Sequence, residues 1–191
     1  GATTQEVFQA NRYNAGELYF LSSFDAQTYA SYGDKLNTQQ TLNGYAFYFN
    51  TADELLKDAK VRKALSLGLD RTAITNAIGT GEVPATGYVP NGVFNTGNED
   101  DFRTAGGNIY NTSADKAGAE SLLNGKKGTI TITYLKPQND YTVRKHKDFI
   151  NYESNSYKLA AEAAGKCWQD LGFKVEYRAL EPEKYQKALI E

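Results

Sequence analysis

Val61-Arg62-Lys63-Ala64-Leu65-Ser66-Leu67-Gly68-Leu69-Asp70-Arg71 decides how this chain is read. Val61, Ala64, Leu65, Gly68 and Leu69 fall at i, i+3, i+4, i+7 and i+8, which is one apolar stripe on an α-helix. Asp58 is placed to cap its start. Asp70 is placed to end it and to cap a second helix, in which Ile74, Ala77 and Ile78 again fall at helical spacing before Gly79 and Gly81 stop it. The spacing predicts a helix, a corner and a second helix with apolar inner faces.

Composition bounds what such a unit can belong to. At 191 residues the expectation is a single domain covering 1–191, long enough to bury a core. The apolar fraction of 40% and charged fraction of 23% are those of ordinary globular proteins and set disorder aside. With a net charge of −2 and cations scattered among acids, there is no basic stripe of the kind nucleic-acid binding needs. Cys167 is the single cysteine, so no intrachain disulfide forms, and with one histidine it cannot supply a zinc site; no metal or cofactor is expected. No apolar run is long enough to span a bilayer, and no signal peptide stands at Gly1. The chain, which has no methionine, reads as an excised piece of a longer protein, with Gly1 and Ala2 as cloning remnants.

Outward from the corner, the pattern is α/β. Towards the start, Thr3 or Thr4 can cap a short helix through Val7, Phe8 and Ala10, and Glu17 to Leu21 reads as a buried strand. A Tyr-rich helix is expected from Phe24 to Tyr32, and Tyr45-Ala46-Phe47-Tyr48-Phe49 as a strand covered on both faces, in the middle of a sheet. Beyond Pro90, residues 91–108 read as a long surface loop, followed by a helix capped by Ser113 that carries Ala114, Ala117 and Leu122-Leu123. Thr129 to Leu135 alternates as a strand, and a polar insertion over 136–155 reads as a second long surface loop. Tyr157, Ala160, Ala161, Ala164, Trp168 and Leu171 form the stripe of a helix stopped by Gly172, and Phe173 to Ala179 alternates as a strand. Strand, helix, strand is a βαβ unit, which implies a parallel pair and a right-handed crossover. Pro182 opens a last helix through Tyr185, Ala188 and Leu189.

Several spaced elements carry a resemblance to a known family. Phe49-Asn50-Thr51, the V-R-x-A-L-x-x-x-L-D-R run from Val61 to Arg71, and the loop Gly81-Glu82-Val83-Pro84-Ala85-Thr86-Gly87-Tyr88-Val89-Pro90 follow in one order. Together they resemble the signature of the oligopeptide and dipeptide class of extracellular solute-binding proteins, the receptors of ABC importers. Gly16-Glu17-Leu18-Tyr19 and the run from Tyr110-Asn111 to Leu122-Leu123 resemble further family segments. The resemblance implies a periplasmic-binding-protein-like lobe, with a mixed, mostly parallel sheet and helices on both faces. It further implies that this is the second, C-terminal lobe of a two-lobe receptor that closes over a peptide and presents it to membrane permease subunits. Export follows, to the periplasm or cell exterior, with anchoring as a lipoprotein in the full-length protein. A family segment that grips ligand is expected beyond Glu191, so the chain alone is expected to bind peptide weakly. A receptor for a sugar, pheromone or other small solute, or a fragment of a hydrolase, are the alternatives.

The resemblance places Tyr45, Phe47, Tyr48 and Asn50 near the cleft between lobes, with Tyr88 at the end of the signature loop as a further candidate. One family member has an acidic side chain where Tyr48 stands, so a charged contact at that position is not carried over. Tyrosine suits such a place, because its ring offers an apolar face and a hydroxyl. Arg62, Asp70 and Arg71 read as caps and ion pairs that fix the corner. Other constellations carry less. Gly125-Lys126-Lys127-Gly128-Thr129 joins a helix to a strand, the reverse of a phosphate loop. His146 lies in a run of cations with no nucleophile motif near it, Cys167 reads as an inert thiol beside the core, and Asn98-Glu99-Asp100-Asp101 lacks the spaced ligands of a calcium loop. Asn111-Thr112-Ser113 fits a glycosylation sequon, which carries little weight in a bacterial protein. No catalytic group is expected.

Overall fold

The computed structural model describes residue 30, residues 33–35, 40–94, 96–97, 100–145 and 148–190. The expected helix at Val7, the strand at Glu17 and most of the Tyr-rich helix lie outside these residues, as do Asn98, Glu99 and His146. Ala30 is helical, and Gly33–Lys35 forms a 3-10 turn.

The helix corner forms as the stripe predicts. Helix α1 (Ala59–Leu67) starts at Asp58, whose carboxylate accepts from Lys60 N at 2.8 Å. Helix α2 (Arg71–Ile78) starts at Asp70, whose carboxylate accepts from Ala73 N at 2.8 Å, and ends at Gly79 in the left-handed region. Val61, Ala64, Leu65, Gly68 and Leu69 are all buried; in α2, Ile74 and Ile78 are buried while Ala77 faces out. The last four carbonyls of α1 would be orphans in an isolated helix. Here Ala64 O accepts from Gly68 N, Leu65 O from the Trp168 indole at 2.9 Å, Ser66 O from Leu69 N and the Arg71 guanidinium, and Leu67 O from Asp115 N at 2.8 Å. The end of α1 is thus a junction for two distant parts of the chain, at Asp115 and Trp168, and for the start of α2.

Residues 91–108, expected to be loop throughout, contain a short helix α3 (Phe102–Gly106) capped by Asp101. Helix α4 (Lys116–Leu123) is capped by Asp115 rather than Ser113: its carboxylate accepts from Gly118 N at 2.8 Å, and its own N–H is tied to the end of α1. Strand β1 (Thr129–Leu135) follows, and then β2 (Gln138–Lys145) and β3 (Asp148–Ser154) pair antiparallel. The insertion expected as a loop is therefore a hairpin, in which backbone groups satisfy one another across the ladder. Helix α5 (Ser156–Asp170) leads to strand β4 (Lys174–Leu180), which pairs parallel with β1 from Thr129↔Lys174 to Leu135↔Leu180, and helix α6 (Pro182–Ile190) follows. This is the expected βαβ connection, with the hairpin inserted before its helix.

Two expectations about the sheet change. Among the described residues it is the two-stranded parallel pair β1–β4, with the hairpin as a separate antiparallel ribbon. Residues 45–49 form no strand. They run beside α5 without a ladder partner among the described residues, and Phe47 and Phe49 pack on Trp168, with ring centroids 5.5 and 6.3 Å away. Tyr45, Ala46 and Tyr48 are exposed, so the segment is covered on one side through its phenylalanines.

The core lies where α1, α2, α4, α5 and the β1–β4 pair meet, around Leu65, Leu123, Ile130, Ala164 and Trp168. Gly68 lets Leu171 close in there: a β-carbon at that position would stand 2.5 Å from Leu171 Cδ1, so the leucine tip would have to shift.

Candidate functional site

The signature residues bond to the backbone around the corner. The Arg62 guanidinium donates to Leu56 O and Lys57 O, both at 2.8 Å, and closes the turn that precedes α1. Arg71 donates to Ser66 O at 3.2 Å, Ser66 Oγ at 3.1 Å and Asn111 O at 3.1 Å, and lies 4.9 Å from the Tyr110 ring centroid. Burial pushes its pKa below the ordinary arginine value, with Tyr110 opposing. The partners of Arg62 and Arg71 are carbonyls and a hydroxyl rather than carboxylates.

The signature loop is held from behind. Thr86 O accepts from Ile109 N at 2.8 Å and Tyr110 N at 3.0 Å. Arg103 on α3 is 6% exposed and donates to Gly107 O, and its guanidinium fills the space that a side chain at Gly87 would take. The next residue, Tyr88, projects outward.

Tyr88 is one of several exposed rings. Tyr45, Tyr48 and Tyr88 are 64%, 75% and 72% exposed. Tyr45 meets Tyr157, in the first turn of α5, edge to face at 5.6 Å between centroids. The Tyr88 side chain raises the Tyr48 hydroxyl pKa, and Tyr185 of α6 adds a smaller push in the same direction. Burial raises Tyr185, with Tyr157 nearby. Tyr45 is raised by burial, then by Tyr157, then by Glu82. Glu82 belongs to the signature loop, and its carboxylate is fixed by Thr80 N at 3.1 Å and Thr80 Oγ1 at 2.5 Å.

Of the expected site residues, the structure therefore leaves Tyr45, Tyr48 and Tyr88 exposed. Phe47 is turned to Trp168 in the core, and the Asn50 side chain accepts from Ala52 N at 3.0 Å and shapes the turn before α1. Tyr157, Tyr185 and Glu82 were missed. Tyr157 occupies the first position of the α5 stripe, and the helix end leaves that position at the core's rim. Cys167 is half-buried and its Sγ accepts from Asp70 N at 3.5 Å, in keeping with an inert thiol. Among the described residues, no group of three or more His, Cys, Asp or Glu is placed to hold a metal, and no helix is long and apolar enough to cross a membrane.

Residues 3–190 match the family described as bacterial extracellular solute-binding proteins, family 5 Middle. The chain belongs to that family. The periplasmic murein peptide-binding protein MppA of Escherichia coli is 26% identical over 186 residues, which is 95% of this chain and 32% of MppA. The periplasmic oligopeptide-binding protein OppA of the same organism is 32% identical over 91 residues, 44% of this chain and 17% of OppA. The chain thus spans about a third of the length of the first of these relatives. Two solved structures share the fold: the pheromone receptor PrgZ (TM-score 0.65, 22% identity, 96% of this chain and 35% of that one) and the E. coli murein tripeptide binding protein MppA (0.64, 23%, 94% and 33%). The fold is α/β and periplasmic-binding-protein-like, as the resemblance implied. In this family-5 chain, Tyr88 stands on the signature loop, and Tyr45 and Tyr48 on the segment that precedes α1.

Proposed function

We propose that this chain is a ligand-binding lobe of a peptide receptor serving an ABC importer, and that its tyrosine face meets the ligand. The observation that carries the reading is the family match over residues 3–190. The exposure of Tyr45, Tyr48 and Tyr88 supports the position of the site. Tyrosine rings and hydroxyls suit a peptide, whose main chain offers hydrogen bonds and whose side chains offer apolar surface. The ligand is bound and released unchanged, without a covalent step. The full-length protein works outside the cytoplasmic membrane, held there as a lipoprotein, and hands its ligand to permease subunits.

A thermal-shift screen of the full-length receptor tests this, with peptides of about two to ten residues against sugars as contrast. A ligand at 100 times its Kd adds about 2.7 kcal/mol of stability. A shift with peptides is expected. A shift with sugars alone would keep the fold and overturn the function.

A further inference from the structure

We propose that Arg103 is the docking point for an acidic side chain carried by the part of the receptor that lies outside this chain. This rests on the reading of the chain as one lobe of a longer receptor.

Arg103, on α3, is 6% exposed. Its Nη2 donates to Gly107 O at 2.5 Å, while its Nε, also buried, has no hydrogen-bond partner. Two glycines make room for it: a β-carbon on Gly87 would stand 1.6 Å from Nη1 and 3.1 Å from Nε, and one on Gly106 would stand 3.1 Å from Nη2. Among the described residues, no carboxylate forms an ion pair with it. Asp101, two residues earlier, is taken up by Gly92 N, Thr104 N and Thr104 Oγ1. An arginine keeps its charge and presents five N–H donors in a planar fork, so one carbonyl leaves most of them unmet. A buried charge is costly unless it is paired and hydrogen-bonded. The group that meets both needs is a carboxylate, which accepts two parallel bonds from such a fork.

Burial bears on where that carboxylate comes from. A ligand that binds and leaves would have to open the loops around Arg103 at every cycle. An acid of the same folded protein takes its place once, as those loops pack. Exposed apolar side chains on the segments bonded around Arg103 fit such packing. The Phe102 ring centroid lies 5.9 Å from the guanidinium carbon, Phe94 is bridged to Asp101, and the Ile109 N–H is bonded to Thr86 O, yet all three side chains are exposed. Aromatic residues and arginine are the types enriched in interface cores, where a desolvated charge sits among apolar contacts. The chain covers 32% of MppA, so most of a receptor of that length is available to supply the acid.

The test is Arg103→Met, made both in the 191-residue chain and in the full-length receptor without peptide, each compared with its own parent in thermal melts. The bond to Gly107 O and the support beneath Gly87 are lost in both. Only the full-length receptor is also left with an unpaired buried carboxylate, so its melting temperature is expected to fall by about 5 °C more than that of the chain. Arg103→Lys, which keeps the charge without the fork, should melt between the parent and Arg103→Met in the full-length receptor. Asp→Asn and Glu→Gln substitutions outside this chain then locate the acid: one of them should lose most of its effect on melting when combined with Arg103→Met. Equal shifts in the chain and the full-length receptor, or no acid that couples to Arg103, overturn the proposal. An effect of Arg103→Met confined to the peptide-loaded receptor also overturns it, by moving the carboxylate to the ligand. Peptide binding by the parent receptor is a separate measurement, so failure of the peptide-receptor reading is told apart from failure of the pair.

Discussion

The Arg103 guanidinium lies where a β-carbon on Gly87 would have to be, with Nη1 only 1.6 Å from that point. The glycine of the signature loop is therefore a packing requirement created by an arginine on another element. Gly87→Ala must push aside a charged group that is buried and bound to Gly107 O. The expected cost is about 1–3 kcal/mol in urea denaturation. Combining it with Arg103→Ala should cost less than the sum of the two single changes, because the clash is then gone. Additive losses would show that Arg103 and Gly87 do not act on each other.

Trp168 is the single tryptophan, and its indole N–H is the donor for Leu65 O at the end of α1. Trp168→Phe keeps an aromatic core but leaves that buried carbonyl without this donor. A loss of about 1–3 kcal/mol is expected from the unmet carbonyl, with a further loss from the smaller ring. Chemical denaturation followed by circular dichroism measures it. A variant as stable as the parent would mean that water replaces the indole.

The elements legible in the sequence were those whose side chains alone decide their structure. The stripe from Val61 to Leu69, the caps Asp58 and Asp70, the alternation of β1 and the α5 stripe all depend on spacing within one short run, and all appear. What was not legible depends on distant partners. Residues 45–49 have a strand's composition, but a strand needs a neighbour, and here Trp168 takes the aromatics instead. Ser113 and Asp115 are both good caps, and the choice is made by Leu67 O, which binds the Asp115 N–H. The candidate site follows the same rule. Tyr45, Tyr48 and Tyr88 were open to sequence reading as aromatics near the signature, whereas Tyr157 meets Tyr45 only through folding.

Arg71 joins the end of α1 to the segment before α4 through three hydrogen bonds and the Tyr110 ring. Lysine keeps the charge but cannot present a fork to Ser66 and Asn111 at once. Arg71→Lys is expected to lower stability by about 1–2 kcal/mol, and Arg71→Met by more. Equal stability of Arg71→Lys and the parent in a urea titration would remove the fork from the account.

Acid sensitivity follows from Asp58 and Asp101. Asp58 is held below the ordinary carboxylate range by its hydrogen bond with Lys126 and then by the Lys60 N–H; Asp101 is held there by the N–H groups of Gly92 and Thr104. A carboxylate depressed in the folded state contributes stability above its unfolded-state pKa, and that contribution is lost as pH falls through the lower folded-state value. Stability should therefore be flat near neutrality and decline from the ordinary carboxylate range downward. Asp58→Asn retains a capping oxygen and removes the titrating charge. Its stability at neutral pH should be lower than the parent's, and its decline on acidification shallower. Parallel acid profiles of parent and Asp58→Asn, measured by thermal melts across the acidic range, would exclude Asp58 as a source of the decline and leave Asp101 as the group to substitute next.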